Sequence, residues 1–332
     1  MKPKIEFITI DDNKSKIYNL LEELVLMPRL KALEWSEITK QTPNIKIGYP
    51  GQHLASLITG VEGARTGARG DDLLDGSEVK SCSRVDQLDN CKNCKSKVLR
   101  IENVCPHCGS GNINRMDDSK WLFSIKSEEE LELLTKTIDR IFLTIADYPN
   151  FSDNDFNTIR FQAFEIWNNL ERHKHFKSLM SNYYNKIFLE HISKNPNKTP
   201  APKNFWPYSY QFYLCNPLKV FNCIVIEANS NPKLNIDYYV EPDYYRSLIE
   251  TEQMPTKLLS LDEIATILNN VPEYTLSSQI AIGSYGDLIS KRSVKKEVVK
   301  RLPFINETTR SYLNLRDMDK VSEAKTKYSR RK

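Results

Sequence analysis

The chain has 332 residues, of which 40% are hydrophobic and 27% charged, with a formal net charge of +4. This is enough apolar material for a buried core in one large domain or two ordinary ones. No apolar run approaches the ~18 residues that a membrane-crossing helix needs, so a bilayer-spanning chain is excluded. The opening MKPKIEFITIDDNKSK holds no apolar segment followed by a small-residue cleavage site, so no secretory signal is expected and a cytoplasmic protein follows. The charge is unevenly spread: residues 291 to 332 carry fourteen Lys or Arg against five Asp or Glu. That leaves a basic tail on a mildly acidic body, which suits either a polyanionic partner or a solvated helix end.

In chain order, Leu20, Leu21, Leu24 and Val25 recur at helical spacing, and Pro28 can open a second helix through Leu30, Leu33 and Ile38. The set Leu54, Leu57, Ile58 and Val61 predicts a further helix over 52–61, and Gly63 and Gly67 then begin a small-residue loop. Asp75-Gly76, flanked by Leu73-Leu74 and by Ser77 to Ser81, predicts a two-residue β-hairpin. Trp121 to Ile125 reads as a third strand. Ser127 and Glu130 form a capping box for a helix whose apolar face is Leu131, Leu134, Ile138, Ile141 and Ile145. A compact α/β unit over about 70–147 is expected. Residues 155–192 again show helical spacing, and the Pro-rich 194–202 is a loop or linker. Strands are expected at 208–215, 220–228 and 234–240, and helices at 261–268 and 295–300.

The predicted hairpin carries chemistry. With Asp75-Gly76 at the turn, Leu73 faces Glu78, Asp72 faces Val79 and Asp71 faces Lys80. Side chains alternate with period two, so Asp71, Glu78 and Lys80 converge while Asp72 and Val79 point away. A bulge at the turn would exchange the two aspartates, which makes Asp72 the alternate. Two close carboxylates repel unless a cation lies between them, and hard oxygen donors with open positions suit Mg²⁺. Such a metal acidifies a bound water and offsets phosphoryl charge, while Lys80 orients or deprotonates the attacking water. A solvated surface turn is the plainer reading of the same residues.

Cys91, Cys94, Cys105 and Cys108 follow C-x2-C-x10-C-x2-C. Four thiolates with no open position make a structural zinc site. His107 lies inside a knuckle and is not needed as a ligand. Cys82, Cys215 and Cys223 have no motif partner and read as small buried residues.

Asp71…Glu78-Val79-Lys80 resembles the PD-(D/E)xK nuclease signature, with Gly70 where Pro often stands. Gly63-Ala64-Arg65-Thr66-Gly67 ahead of it resembles the mismatch-repair nicking endonuclease and its Sau3A-type relatives. Those enzymes carry a glutamate on the preceding helix; here Thr59 stands nearest, with Glu62 three residues on. Over about 50–145 the chain resembles more closely the MamI-like type II restriction endonucleases, which share GARGDDLLDGSEVKSCSRVDQ, a double-CxxC insertion and a DDSKWLFS-type strand. The resemblance implies a restriction-endonuclease-like α/β (α+β) core with an inserted four-cysteine zinc ribbon, Mg²⁺-dependent double-strand cleavage at a short site, and a homodimer on palindromic DNA. On this basis residues 1–150 are the nuclease core with the ribbon at 86–116, and 151–332 serve recognition and dimerisation.

Arg65, Arg69 and Arg84 flank the acidic stretch, and Lys92, Lys95, Lys97 and Arg100 line the first half of the ribbon; each set suits DNA phosphates or a solvated surface equally. His173 and His175 alternate on an expected helix and make poor joint ligands, so exposed helix surface is expected for them. The aromatic run 205–213 alternates like a strand and is expected in the core. Tyr238, Tyr239, Tyr244 and Tyr245 are candidates for stacking on DNA. Two other functions fit the sequence: a repair nickase cutting one strand, and a non-enzymatic zinc-ribbon DNA-binding protein.

Overall fold

The computed structural model describes residues 2–43, 47–65 and 72–316. Helix α1 (Asn13–Leu21) runs through a π-helical turn (Glu22–Leu26) into α2 (Met27–Thr39), and Pro28 stands directly after that turn in continuous helical backbone, where its missing N–H interrupts the helical ladder. Ile17, Leu21, Val25, Leu26 and Leu33 make the buried stripe. Helix α3 (Gly48–Thr59) buries Gly51, Leu54, Ala55 and Ile58, the i, i+3, i+4, i+7 face that its sequence spells out.

Strand β1 (Glu78–Ser83) follows, then the small strands β2 (Asp89–Cys91), β3 (Lys97–Val98) and β4 (Ile113–Asn114), and β5 (Trp121–Phe123). Helix α4 (Glu128–Glu132) starts at Ser127, whose hydroxyl accepts from Glu130 N, and ends after a π turn at Thr137. Next come β6 (Arg140–Asp147), β7 (Ile159–Trp167), α5 (Lys174–Tyr183), α6 (Leu189–Lys194), β8 (Lys203–Phe205), α7 (Tyr210–Leu214), β9 (Leu218–Ile226) and β10 (Lys233–Tyr239). Short helices dominate from residue 248 on, including Leu261–Asn270 and Lys295–Arg301 where helices are expected.

The fold is mixed α/β, around a five-stranded sheet of order β1-β6-β7-β9-β10. It is a mixed sheet: β1 runs parallel to β6, with Glu78 beside Ile141 and Lys80 beside Leu143, and β9 and β10 are antiparallel. A parallel pair needs a long crossover, and here the ribbon and α4 lie within it.

Four expectations are corrected. Residues 72–77 form a turn rather than one arm of a hairpin; β1 takes its partner from sixty residues downstream. The helix after Ser127 stops at Thr137, and Ile141 and Ile145 belong to β6, where all eight residues are buried. A strand covered on both faces reads as an unbroken apolar run, and Ile141-Phe142-Leu143-Thr144-Ile145-Ala146 is one. Residues 159–167 form a strand whose aromatic and β-branched residues happen to recur at helical spacing. Finally, 210–214 is a helix capped by Ser209; all five of its residues are buried, so no polar face marks its period.

The chain divides into two compact units, each assembled from three stretches: residues 1–121, 140–165 and 219–247, and residues 122–139, 166–218 and 248–332. The first holds most of the large sheet, α1 to α3 and the cysteine ribbon. The second has a core in which Phe123, Phe176 and Phe205 meet edge to face at centroid separations of 5.3–6.1 Å. In that unit His173, expected on an exposed surface, is buried, with Nδ1 2.9 Å from the Cys215 carbonyl oxygen.

Candidate functional site

The acidic turn lies at the head of β1. The Gly76 N–H donates to Leu73 O (2.9 Å) and Leu73 N–H to Ser77 O (3.2 Å), and Gly76 has φ +83°, a conformation that favours glycine. This closure carries Asp72 back over β1. Its Oδ2 accepts from the Val79 N–H (2.8 Å) and its Oδ1 from Gln52 Nε2 on α3 (2.9 Å). On the strand itself, the Lys80 amine is ion-paired with Glu78 Oε1. Glu78 is buried, Lys80 half-buried, and Val79 packs in the core. Burial raises the Asp72 carboxyl above its ordinary range, and the Glu78 charge adds to this; together they outweigh the Val79 N–H, Lys80 and Gln52, which favour the anion.

Asp72, the alternate to Asp71, therefore lies with Glu78 and Lys80. Asp71 and Arg69 lie outside the described residues. Glu62 is exposed; its carboxylate accepts from Thr9 Oγ1 (3.2 Å) and its carbonyl from Leu74 N (3.0 Å).

Gln52 is the residue that the sequence reading passed over. It borders the buried face of α3, and the helical period places it at the edge of that face without naming its partner twenty residues away. The helix reaches β1 closely because residue 51 is glycine. A Cβ there would lie 2.0 Å from Ser81 Oγ and 2.8 Å from both Ser81 Cβ and Thr144 Oγ1.

The cysteine ribbon is a three-stranded sheet of order β3-β2-β4. Its two knuckles share one geometry. Cys91 N donates to Ser96 O and Lys95 N to Cys91 O; Cys105 N donates to Ser110 O and Gly109 N to Cys105 O. Lys95 and Gly109, each four residues after its cysteine, are left-handed at φ +65° and +69°. The four sulfurs lie within 4.8 Å of one another, with Cys91–Cys108 at 3.7 Å and Cys94–Cys105 at 3.5 Å. They can hold a metal ion. The Ser96 hydroxyl and N–H bring the Cys94 thiol down to about 5. Cys108 is pushed up to about 12: the Ser110 N–H favours its thiolate, but the neighbouring sulfurs oppose a further negative charge. A bound cation removes that conflict.

Asp89 anchors the ribbon. Fully buried, it accepts from Arg100 Nη2 (2.9 Å), Arg115 Nη1 (2.8 Å) and Met116 N (2.7 Å). The Arg100 guanidinium also stacks 4.6 Å from the Phe156 centroid. Arg100 is thus buried structure and not a phosphate contact. Arg84 is buried as well, donating to Asp117 Oδ2 (3.1 Å) and Ser119 O (3.2 Å). Of the other basic candidates, Arg65, Lys92, Lys95 and Lys97 are exposed.

A family model described as MamI restriction endonuclease matches residues 34–257, two thirds of the chain, including both the carboxylate turn and the ribbon. The chain belongs to the MamI restriction endonuclease family. A curated relative, the type II restriction enzyme MamI of Microbacterium ammoniaphilum, is 40% identical over 55 residues. That stretch spans 17% of this chain and 18% of the relative. No solved structure matches. Family membership therefore rests on sequence, and the geometry around Asp72, Glu78 and Lys80 stands on this structure alone. No helix among the described residues is long and apolar enough to cross a membrane.

Proposed function

We propose that this protein is a type II restriction endonuclease making site-specific double-strand cuts in DNA by Mg²⁺-dependent phosphodiester hydrolysis, on a PD-(D/E)xK core. One observation carries the reading: within the family-matched region, Asp72 is folded back against β1 beside the Glu78–Lys80 pair. Asp72 and Glu78 are the protein ligands for Mg²⁺, and their oxygens fit a hard cation that keeps open positions for water and phosphate. When bound, Mg²⁺ supplies a water of lowered pKa and offsets charge on the transferring phosphoryl group. With Glu78 engaged by the metal, Lys80 would be released from its ion pair, and its ammonium would donate to and orient the attacking water; to act as a base it would first have to give up its own proton. Gln52 and the Val79 N–H each occupy one lone pair of Asp72 and fix the plane of its carboxylate. Asp71 is the second aspartate within reach by sequence, and Asp71→Asn is compared with Asp72→Asn to assign the ligand.

The ribbon holds a structural Zn²⁺. With Zn–S bonds of about 2.3 Å, a regular tetrahedron has sulfur–sulfur edges near ~3.8 Å, and the separations of 3.7 and 3.5 Å lie close to that. Lys92, Lys95 and Arg65, all exposed, would meet DNA phosphates, while residues 151–332 would supply recognition and the homodimer contacts. The basic tail 291–332, of which 317–332 lie outside the described residues, adds charge attraction for the same polyanion.

Plasmid DNA incubated with Mg²⁺ or with EDTA, using wild type and Lys80→Ala, tests the reading. Discrete linear fragments with one sequence at every end are expected under Mg²⁺ only, and at least about 100-fold less product with Lys80→Ala. Intact plasmid under every divalent metal and over a wide range of DNA sequences overturns the activity. Nicked circles alone indicate a single-strand enzyme instead.

A further inference from the structure

Behind the acidic turn runs a line of four alternating charges, Asp75, Arg140, Glu165 and Arg246. Arg140, Glu165 and Arg246 are buried at 2%, 0% and 0% exposure. Arg140 is the first residue of β6. Its Nη2 donates to Asp75 Oδ2 (2.5 Å), its Nε to Ser77 Oγ (2.8 Å) and its Nη1 to Glu165 Oε1 (3.2 Å). Glu165 Oε2 in turn accepts from Arg246 Nε (3.0 Å), and Arg246 Nη1 donates to the carbonyls of Glu241 (2.9 Å) and Tyr244 (2.8 Å). Asp75 Oδ1 meanwhile accepts from the Ser77 N–H (3.0 Å).

Burying two guanidinium–carboxylate pairs is a poor way to gain stability, because desolvation offsets most of the attraction; apolar residues of similar size often do as well. What a forked, bidentate guanidinium adds is geometry. One side of Arg140 grips two residues of the turn, and the residue after Arg140, Ile141, is registered directly beside Glu78. The grip thus locks the turn that carries Asp72 to the strand that carries Glu78 and Lys80. The turn's other anchors are its own backbone hydrogen bonds, those of Asp72 and Leu74 to the backbone of Ala64 and Glu62, the bonds of the Asp72 carboxylate to Val79 N–H and Gln52, and the buried Leu73; of these side-chain hydrogen bonds among the described residues, the clamp's are the ones that tie the turn to β6.

We propose that Asp75 and Arg140 are positioning residues of the carboxylate site, a buried clamp that sets Asp72 against Glu78 so that the pair binds Mg²⁺ as one ligand set. This rests on the nuclease reading of Asp72, Glu78 and Lys80. The test compares Asp75→Asn and Ser77→Ala, which loosen the clamp at the turn, with Arg246→Lys, which weakens the same charge line at its far end. For each folded protein, Mg²⁺ binding is measured by calorimetry in the absence of DNA, the Mg²⁺ concentration at half-maximal cleavage is determined, and Tm is recorded. Asp75→Asn is expected to raise both Mg²⁺ constants about tenfold or more, with cleavage partly recovered at saturating Mg²⁺; Ser77→Ala shifts them in the same direction by less. Arg246→Lys lowers Tm with both constants within about twofold of wild type. Mg²⁺ constants unchanged in the turn variants, or shifted equally by Arg246→Lys, overturn the proposal. If Asp75→Asn does not fold, Ser77→Ala decides alone. The underlying reading fails by a separate result, unchanged Mg²⁺ binding and cleavage in Asp72→Asn.

Discussion

Gly51→Ala sets two effects against each other, and the structure decides which wins. In an exposed helix interior, replacing glycine with alanine stabilises by about 1 kcal/mol through backbone entropy. At position 51 the new methyl would stand 2.0 Å from Ser81 Oγ and 2.8 Å from Ser81 Cβ and Thr144 Oγ1. Those atoms come from two neighbouring strands, β1 and β6, and the two hydroxyls are hydrogen-bonded to each other at 2.9 Å. Turning Ser81 aside relieves the first contact but not the other two. The helix must therefore move off the sheet or both strands must give, an overpacking cost of about 1–3 kcal/mol, with about 1 kcal/mol more for the broken hydroxyl pair. The net is a loss of about 1–3 kcal/mol, a fall in Tm of roughly 2–10 °C. Because Gln52 is the adjacent residue, the displacement also pulls its amide from Asp72, and the Mg²⁺ requirement for cleavage rises. Thermal unfolding of Gly51→Ala, beside the double variant Gly51→Ala/Ser81→Gly, measures this; removing the Ser81 side chain deletes two of the three contacts and should restore much of the loss. A Tm equal to or above wild type in Gly51→Ala refutes the close packing of α3 on β1.

Three further outcomes are expected. Elemental analysis should find one zinc per chain, lost in Cys105→Ser; stripping it should lower Tm by about 5 °C or more, and an unchanged Tm would remove the structural role. Asp89→Ala removes the counter-ion shared by Arg100 and Arg115 and the acceptor of Met116 N–H, and should destabilise by about 3–5 kcal/mol in urea unfolding; a loss below about 1 kcal/mol contradicts the anchoring. Asp72 has a carboxyl pKa raised by burial, so the metal-free folded protein holds its proton more tightly than the unfolded chain, and stability falls as pH rises through that raised value. At neutral pH without metal, Asp72→Asn should therefore unfold at or above the wild-type Tm, while losing the added stability that Mg²⁺ confers on wild type. A lower Tm without metal contradicts the sign. By the same linkage, the Mg²⁺ needed for cleavage should begin to climb on acidification at a higher pH than an ordinary aspartate would impose.

What could be read from the sequence was whatever is specified within about twenty residues of chain. The cysteine spacing is one case: each knuckle is built from hydrogen bonds inside six residues, and the two knuckles are seventeen residues apart at most, so the motif carries its own geometry. The Ser127 cap and the helices at 13–39, 48–59 and 261–270 are others, since capping and the 3.6-residue period act locally. The acidic residues and lysine of the candidate site, just before and on β1, can be listed from the sequence too, and so can the family. The geometry cannot. A hairpin through Asp75-Gly76 is the local solution, but the long buried strand 140–147 offers β1 a full parallel ladder, and the turn folds against it instead of extending into a partner strand. That choice sets Asp72 back against β1, brings in Gln52 from a helix twenty residues away, and turns Asp75 from a turn former into one end of a buried clamp. Tertiary contacts likewise bury Arg84 against Asp117 and Arg100 against Asp89 and Phe156, although in sequence they look no different from the exposed Lys92 and Lys95. Helix and strand were confused where every face is buried, at 141–146, 159–167 and 210–214, because a residue pattern reveals its period only through contrast with solvent. Local chemistry lay in the sequence; which side chains meet depended on non-local strand pairing, and only the tertiary structure decided it.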